Sequence, residues 1–112
     1  MYGLKNCDTC RKARKWLAAE GLDHRFVDVR ADGITVGDIA RWQNGTDTPW
    51  LNRRGTTWRG LSDADKARAD NDADVLALGA EYPALIKRPV FEVGTQVMIG
   101  FDDRVRATLK AG

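Results

Sequence analysis

Met1-Tyr2-Gly3-Leu4-Lys5-Asn6-Cys7-Asp8-Thr9-Cys10-Arg11 opens the chain, and its reading decides the fold. Met1 to Leu4 is mostly apolar and reads as a first strand, either minimal or entered a few residues late, before the polar turn of Lys5 and Asn6. Arg11 to Glu20 has helical composition, with Ala13, Trp16 and Leu17 at helical spacing and Gly21 as a C-terminal stop. Arg25-Phe26-Val27-Asp28-Val29 reads as a second strand. A strand–helix–strand run almost always crosses over right-handed and yields two parallel strands. Cys7 and Cys10 therefore fall between the first strand and the body of the first helix.

Further along, the chain changes character. Thr35 with Asp38, and Ser62 with Asp65, have the spacing of capping boxes that open short helices. Val36, Ile39 and Ala40 form the expected buried stripe of the first. Another helical piece runs from about Asp72 to Leu78, with Val75 and Leu78 turned inward. Between them, residues 49–59 are polar and rich in Trp and Arg; Trp50 and Trp58 are read as packing residues. The last third returns to strands: Val90–Val93, a Gly94-Thr95 turn, and Gln96–Ile99 predict an antiparallel hairpin. Asp102 or Asp103 then caps a final helix carrying Val105 and Leu109. The order β-α-β, helices, β-β-α predicts an α/β, thioredoxin-like fold with a mixed sheet. It is expected as one domain over residues 1–112, with a helical insertion at about 31–82.

Composition narrows the classes of function. The chain has 112 residues, 43% hydrophobic and 30% charged, enough to bury a core without disulfide or metal staples. Its 18 basic and 16 acidic residues leave a net charge of +2, too balanced to argue for direct nucleic-acid or membrane binding. No apolar run approaches the roughly 20 residues that span a bilayer, and the N-terminus lacks a secretory apolar region. Those features predict a cytoplasmic protein, in which a close cysteine pair is more often catalytic, redox-sensing or metal-binding than structural.

Cys7 and Cys10 are the only cysteines. A helix N-terminus presents unpaired backbone N–H groups and partial positive charge, both of which favour a thiolate. Cysteines so placed ionise at pKa values of about 3.5–7.5. The three-residue spacing puts Cys10 one turn along, within reach of a mixed disulfide on Cys7, and Lys5, Arg11 and Arg14 add positive charge. Zinc is disfavoured, since His24 is the one histidine and four strong ligands cannot be assembled. A structural disulfide conflicts with the predicted compartment. Cys10 as a small core residue beside a lone reactive Cys7 stays open.

A second constellation is Lys87-Arg88-Pro89-Val90, just before the third strand. Proline suits strand entry because it cannot donate to the ladder. If the Pro89 peptide bond is cis, the Arg88 backbone is held in a turned geometry, from which its guanidinium could clamp an oxyanion or carboxylate. A solvated basic turn is the plainer alternative.

With these pieces placed, the sequence resembles the arsenate reductase/Spx (ArsC) family, and within it the YffB-like proteins. The matching residues are Tyr2-Gly3-Leu4-Lys5-Asn6-Cys7-Asp8-Thr9, Arg53 or Arg54 with Gly55-Thr56-Thr57-Trp58-Arg59, Pro83-Ala84-Leu85-Ile86-Lys87-Arg88-Pro89, and Ile99-Gly100-Phe101. The resemblance implies a first cysteine that, in family members with known activity, attacks arsenate and then forms a mixed disulfide with glutathione, a position that Cys7 matches. It implies an arginine before a cis-proline that binds the oxyanion and lowers the cysteine pKa, here Arg88 and Pro89. Asn6 matches a position that can hydrogen-bond the nucleophile. Two further oxyanion arginines of arsenate reductases fall near Asn52, beside Arg53 and Arg54, and at about Gly100. Each missing charge-assisted contact costs about 1.5–3 kcal/mol, which counts against arsenate itself as substrate.

The function expected is a glutathione-dependent thiol–disulfide reductase of the arsenate reductase-like family. Cys7 and Arg88 are its catalytic pair, Cys10 a possible resolving thiol, and Lys5, Asn6, Arg11, Arg53, Arg54 and Pro89 line the substrate or glutathione. Glutathione is the expected co-substrate, with no bound cofactor or metal, acting on a small oxidised thiol or oxyanion. The alternative is an Spx-like redox-sensing regulator that binds RNA polymerase.

Overall fold

The computed structural model describes residues 1–111, which divide into two compact units: residues 1–33 with 88–111, and residues 34–87. In the first unit, β1 (Tyr2–Gly3) leads through the Lys5-Asn6 turn into α1 (Asp8–Ala19) and on to β2 (Val27–Asp28). After residue 87 come β3 (Val90–Val93), β4 (Gln96–Ile99) and α6 (Asp103–Ala111). The four strands form one mixed sheet in the order β2-β1-β3-β4. β1 pairs parallel with β2, Tyr2 opposite Val27, and antiparallel with β3, Tyr2 opposite Val90. β3 and β4 make the predicted hairpin in the register Val90 to Ile99 and Val93 to Gln96, with Gly94 at φ +61° in the turn. This is the expected thioredoxin-like arrangement.

Burial explains each element. Cys10, Ala13 and Leu17 form the apolar stripe of α1 and pack with Met1, Phe91 and Val105 as the core of the unit. Trp16, Phe91 and Phe101 add edge and tilted ring contacts at centroid distances of 5.6 and 6.4 Å. Helix α1 ends as the sequence suggests: Gly21 takes φ +68°, and Leu22 N–H closes on Leu17 O at 2.9 Å. Asp102 caps α6, its carboxylate accepting from Val105 N–H at 2.9 Å. β1 carries glycine at position 3 for a steric reason. A Cβ there would lie 2.5 Å from Cys10 Sγ, so the sulfur rests directly on the strand backbone.

The second unit is helical: α2 (Val36–Gly45), α3 (Thr56–Arg59), α4 (Asp63–Ala67) and α5 (Asp72–Glu81), with 3₁₀ turns at Arg68–Asp70 and Pro83–Leu85. Thr35 makes the full reciprocal capping box with Asp38. Ser62 accepts from Asp65 N–H at 3.1 Å as an ordinary N-cap. Ile39, Trp42, Leu78, Leu85 and Ile86 are its fully buried side chains. Trp50, 4% exposed, donates its indole N–H to Gln43 Oε1 at 3.1 Å, and Leu51 bridges Ile86.

Several sequence expectations need correction. Helix α1 begins at Asp8 rather than Arg11, because Cys7 itself is the N-cap and Arg11 N–H already bonds Cys7 O at 2.9 Å. The second strand shrinks to Val27–Asp28, as the backbone turns at Arg30 and Ala31 to bond the Asp28 side chain. Val36 is exposed, and the inner face of α2 is Ile39 and Trp42. The tryptophan breaks the aliphatic pattern on which the stripe was read. The short α3 and the continuation of α5 to Glu81 were not anticipated.

In α5, Gly79 faces inward, and a Cβ there would meet the Trp50 ring at 2.6 Å and Ile39 Cδ1 at 2.9 Å. Alanine in mid-helix gains about 1 kcal/mol of propensity over glycine. Overpacking against a buried ring costs about 1–3 kcal/mol. Gly79→Ala is therefore expected to lower stability by about 1 kcal/mol, read as a lower denaturation midpoint in urea; a rise would mean that the ring yields.

Candidate active site

Cys7 occupies the N-cap of α1 with extended backbone, φ −91° and ψ 124°. Its own N–H bonds Leu4 O at 3.2 Å, closing the Leu4-Lys5-Asn6-Cys7 turn that swings the sulfur to the end of the helix. The side chain is half-buried, and Cys10, one turn on, is fully buried; both are free thiols. Arg88 approaches from the loop entering β3, where the Arg88–Pro89 peptide bond is cis and Pro89 is buried. Residues 7 and 88, far apart in the chain, thus meet.

The two thiols are driven in opposite directions. Burial opposes ionisation of Cys7, but several effects outweigh it: the Cys10 backbone N–H turned towards its sulfur, a hydrogen bond from Arg88, the Cys10 thiol, and the Arg88 charge. Cys7 consequently ionises below the ordinary cysteine range. The N–H contact is looser than a regular cap hydrogen bond. Burial pushes the Cys10 thiol up to about 11, and the neighbouring Cys7 reinforces the rise. Of the two thiols, Cys7 is the more readily ionised and Cys10 the one that burial keeps protonated.

The other predicted site residues separate into groups. Lys5 and Asn6 are exposed on the turn before Cys7. Arg11 is exposed and turned to an ion pair with Asp8 in the same helical turn, and Arg14 lies over the Phe26 ring, 4.4 Å from its centroid. Both therefore have partners of their own. Arg53 and Arg54 belong to the helical unit, where Arg53 stacks 5.1 Å from the Trp58 centroid and Arg54 N–H bonds Asn52 Oδ1 at 3.0 Å. Among the described residues, no group of three or more His, Cys, Asp or Glu side chains could hold a metal ion, and no helix is long and apolar enough to cross a membrane.

Sequence reasoning missed Asp28, the one buried charged residue among those described, 5% exposed at the end of β2. Its Oδ1 accepts from Arg30 N–H at 2.9 Å and Ala31 N–H at 2.8 Å, and its Oδ2 from Lys5 N–H at 3.0 Å. Asp28 N–H in turn bonds the Asp32 carboxylate at 2.9 Å. These bonds tie the turn that carries Cys7 to the turn that follows β2. The signal was a carboxylate set within the apolar run Phe26-Val27-Asp28-Val29, where burial requires hydrogen-bond partners.

The mixed sheet, the N-cap cysteine and the arginine on a cis-proline define a thioredoxin-like protein in which one of two thiols has its pKa lowered. The chain matches the ArsC family over residues 2–108 and belongs to that family. An uncharacterized protein of Haemophilus influenzae is 41% identical over 93% of this chain and 91% of its own length. The global transcriptional regulator Spx 1 of Lactococcus lactis is 27% identical, covering 97% of this chain and 87% of that one. Among solved structures, a protein described as YFFB superposes with a TM-score of 0.85 at 39% identity, covering 96% of this chain and 95% of its own.

Proposed function

We propose that the protein is a glutathione-linked thiol–disulfide reductase of the cytoplasm, with Cys7 as nucleophile. The observation that carries the reading is the contrast between the two sulfurs. A half-exposed thiol whose ionisation Arg88 favours is the one that attacks, while its buried neighbour stays protonated. The Cys7 thiolate attacks one sulfur of a disulfide substrate, forms a mixed disulfide, and expels the other half as a thiolate. Glutathione thiolate then attacks the Cys7 sulfur, releasing the second half of the substrate and leaving Cys7 glutathionylated. A second glutathione attacks the glutathionyl sulfur, giving oxidised glutathione and free Cys7. Arg88 favours the Cys7 thiolate both as reagent and as leaving group.

The high pKa of Cys10 sets the test. At pH 7 a thiol of pKa about 11 is thiolate in about one molecule in 10⁴, so Cys10 is a poor resolving nucleophile there. Forming the mixed disulfide removes the Cys7 charge, but burial, the larger cause, persists. Reduced protein incubated with oxidised glutathione should therefore accumulate a glutathione adduct on Cys7 near pH 7. That adduct should collapse to the Cys7–Cys10 disulfide as pH rises towards 11, read by intact mass and peptide mapping. Cys10→Ser should hold the adduct at every pH.

A second reading, a redox switch that binds RNA polymerase, draws support from the likeness to Spx 1 and from the hydrogen bond between the two thiols. Rapid internal disulfide formation at pH 7, with no adduct, would favour it. No reaction at Cys7 under conditions where a model thiol reacts would sink both readings.

A further inference from the structure

An open groove of about 410 Å³ runs beside the reactive turn, lined by Leu4, Lys5, Asn6, Asp28, Arg30 and Ala31. Asn6 adjoins Cys7 in the chain, so one wall ends a single residue from the nucleophile. The walls are built rather than incidental. Buried Asp28 binds Lys5 N–H on one side and the Arg30 and Ala31 N–H groups on the other. Its oxygens are thereby engaged with backbone, and its charge is offset by three donors.

Two cations remain on the rim. Lys5 adds its charge towards Asp28, but among the described residues neither the Lys5 ammonium nor the Arg30 guanidinium makes a hydrogen bond or ion pair within the protein. Arg11 and Arg14 are engaged elsewhere, and Arg88 faces the Cys7 sulfur. The positive charge left for a ligand is therefore Lys5 and Arg30, both lining a groove whose wall ends at Asn6, one residue before Cys7. Arg30 went unnoticed in the sequence because it reads there as an ordinary solvated charge after a strand.

We infer that this groove is a carboxylate subsite, in which Lys5 and Arg30 hold the anionic end of a peptide-like thiol or disulfide while its sulfur meets Cys7. The inference rests on the thiol-reductase reading and assigns its selectivity. Uncharged disulfides can reach Cys7, but anionic ones are held.

The test compares second-order rate constants for thiolation of Cys7, read by intact mass at low ionic strength. The three disulfides are glutathione disulfide (anionic), bis(2-hydroxyethyl) disulfide (neutral) and cystamine (cationic). Wild-type protein should prefer the anionic over the neutral reagent, and salt should erode that preference as the Debye length falls from about 30 Å at 0.01 M to about 3 Å at 1 M. In Lys5→Gln/Arg30→Gln the anionic-to-neutral ratio should fall about fivefold, as expected for losing two exposed ion pairs, and should become less sensitive to salt than in the wild type. The cystamine-to-neutral ratio should rise. Arg104→Gln, which removes a charge from the exposed face of α6, should keep the wild-type ratio. A double variant that retains the wild-type ratio, or that changes no more than Arg104→Gln, overturns the subsite while the reductase reading stands. Wild-type protein whose Cys7 reacts with none of the disulfides overturns the reductase reading itself, and the subsite with it.

Discussion

Replacing Arg88 with alanine should raise the pH midpoint of Cys7 alkylation by about one to two units and slow the reaction at pH 6 by at least about tenfold. The reasoning is local. Burial alone would hold Cys7 above its ordinary range, and Arg88 opposes it twice, by hydrogen bond and by charge. A hydrogen bond to a charged group contributes about 1.5–3 kcal/mol, and each pKa unit corresponds to about 1.4 kcal/mol. The Cys10 N–H and the helix terminus remain in the variant, so part of the lowering survives. Arg88→Lys keeps charge without the guanidinium fork and should fall between the two. Iodoacetamide kinetics across pH 4–10, made on Cys10→Ser protein so that one thiol is followed, would measure it. An unchanged midpoint would mean that the helix terminus carries the whole effect.

Asp28→Ala should lower stability by about 3 kcal/mol and the melting temperature by roughly 10 °C. The variant leaves three N–H groups, of Lys5, Arg30 and Ala31, without their acceptor. Asp28→Asn retains one oxygen and should cost about half as much. The effect also has a pH signature. Hydrogen bonding from Ala31 N–H first, then from Lys5 and Arg30 against the opposing effect of burial, holds the Asp28 carboxyl below its ordinary value. A depressed folded-state pKa stabilises above the unfolded value of about 3.9, and that contribution is lost as pH falls through the lower folded value. The wild-type and Asp28→Ala melting curves should therefore converge below about pH 4. A constant gap between them down to pH 2 would show that the carboxylate's ionisation is not what stabilises. Loss of the tether should also blunt Cys7 reactivity, since Lys5 lies inside the turn that positions it.

Strand, helix and hairpin order were legible because apolar periodicity and turn residues agree in the first unit: Ala13 and Leu17 do point inward, and Gly94 does turn the hairpin. The Cys7 constellation was legible because thiol chemistry requires a small set of residue types in a fixed local context. Asp28 and Arg30 were not. Their roles depend on backbone donors brought together by folding, and a backbone N–H leaves no mark on the sequence. The middle of the chain was read less well for another reason. Its core depends on Trp42 and Trp50, and large aromatic residues can serve either packing or ligand contact, whereas Val36 fitted the helical period yet found no apolar neighbour to cover it. Arg11 shows the same limit: its charge was evident, its engagement with Asp8 was not.

The reactive unit is assembled from two separated stretches of the chain, with residues 34–87 made between them. Cys7 is made before the β3 strand on which its sheet depends and before the Arg88 that draws its proton away. Until Arg88 and β3 have emerged, the nascent Cys7 lacks the guanidinium and the sheet that favour its thiolate. A product that stops short of Arg88 would therefore present a less acidic Cys7 than the folded unit does.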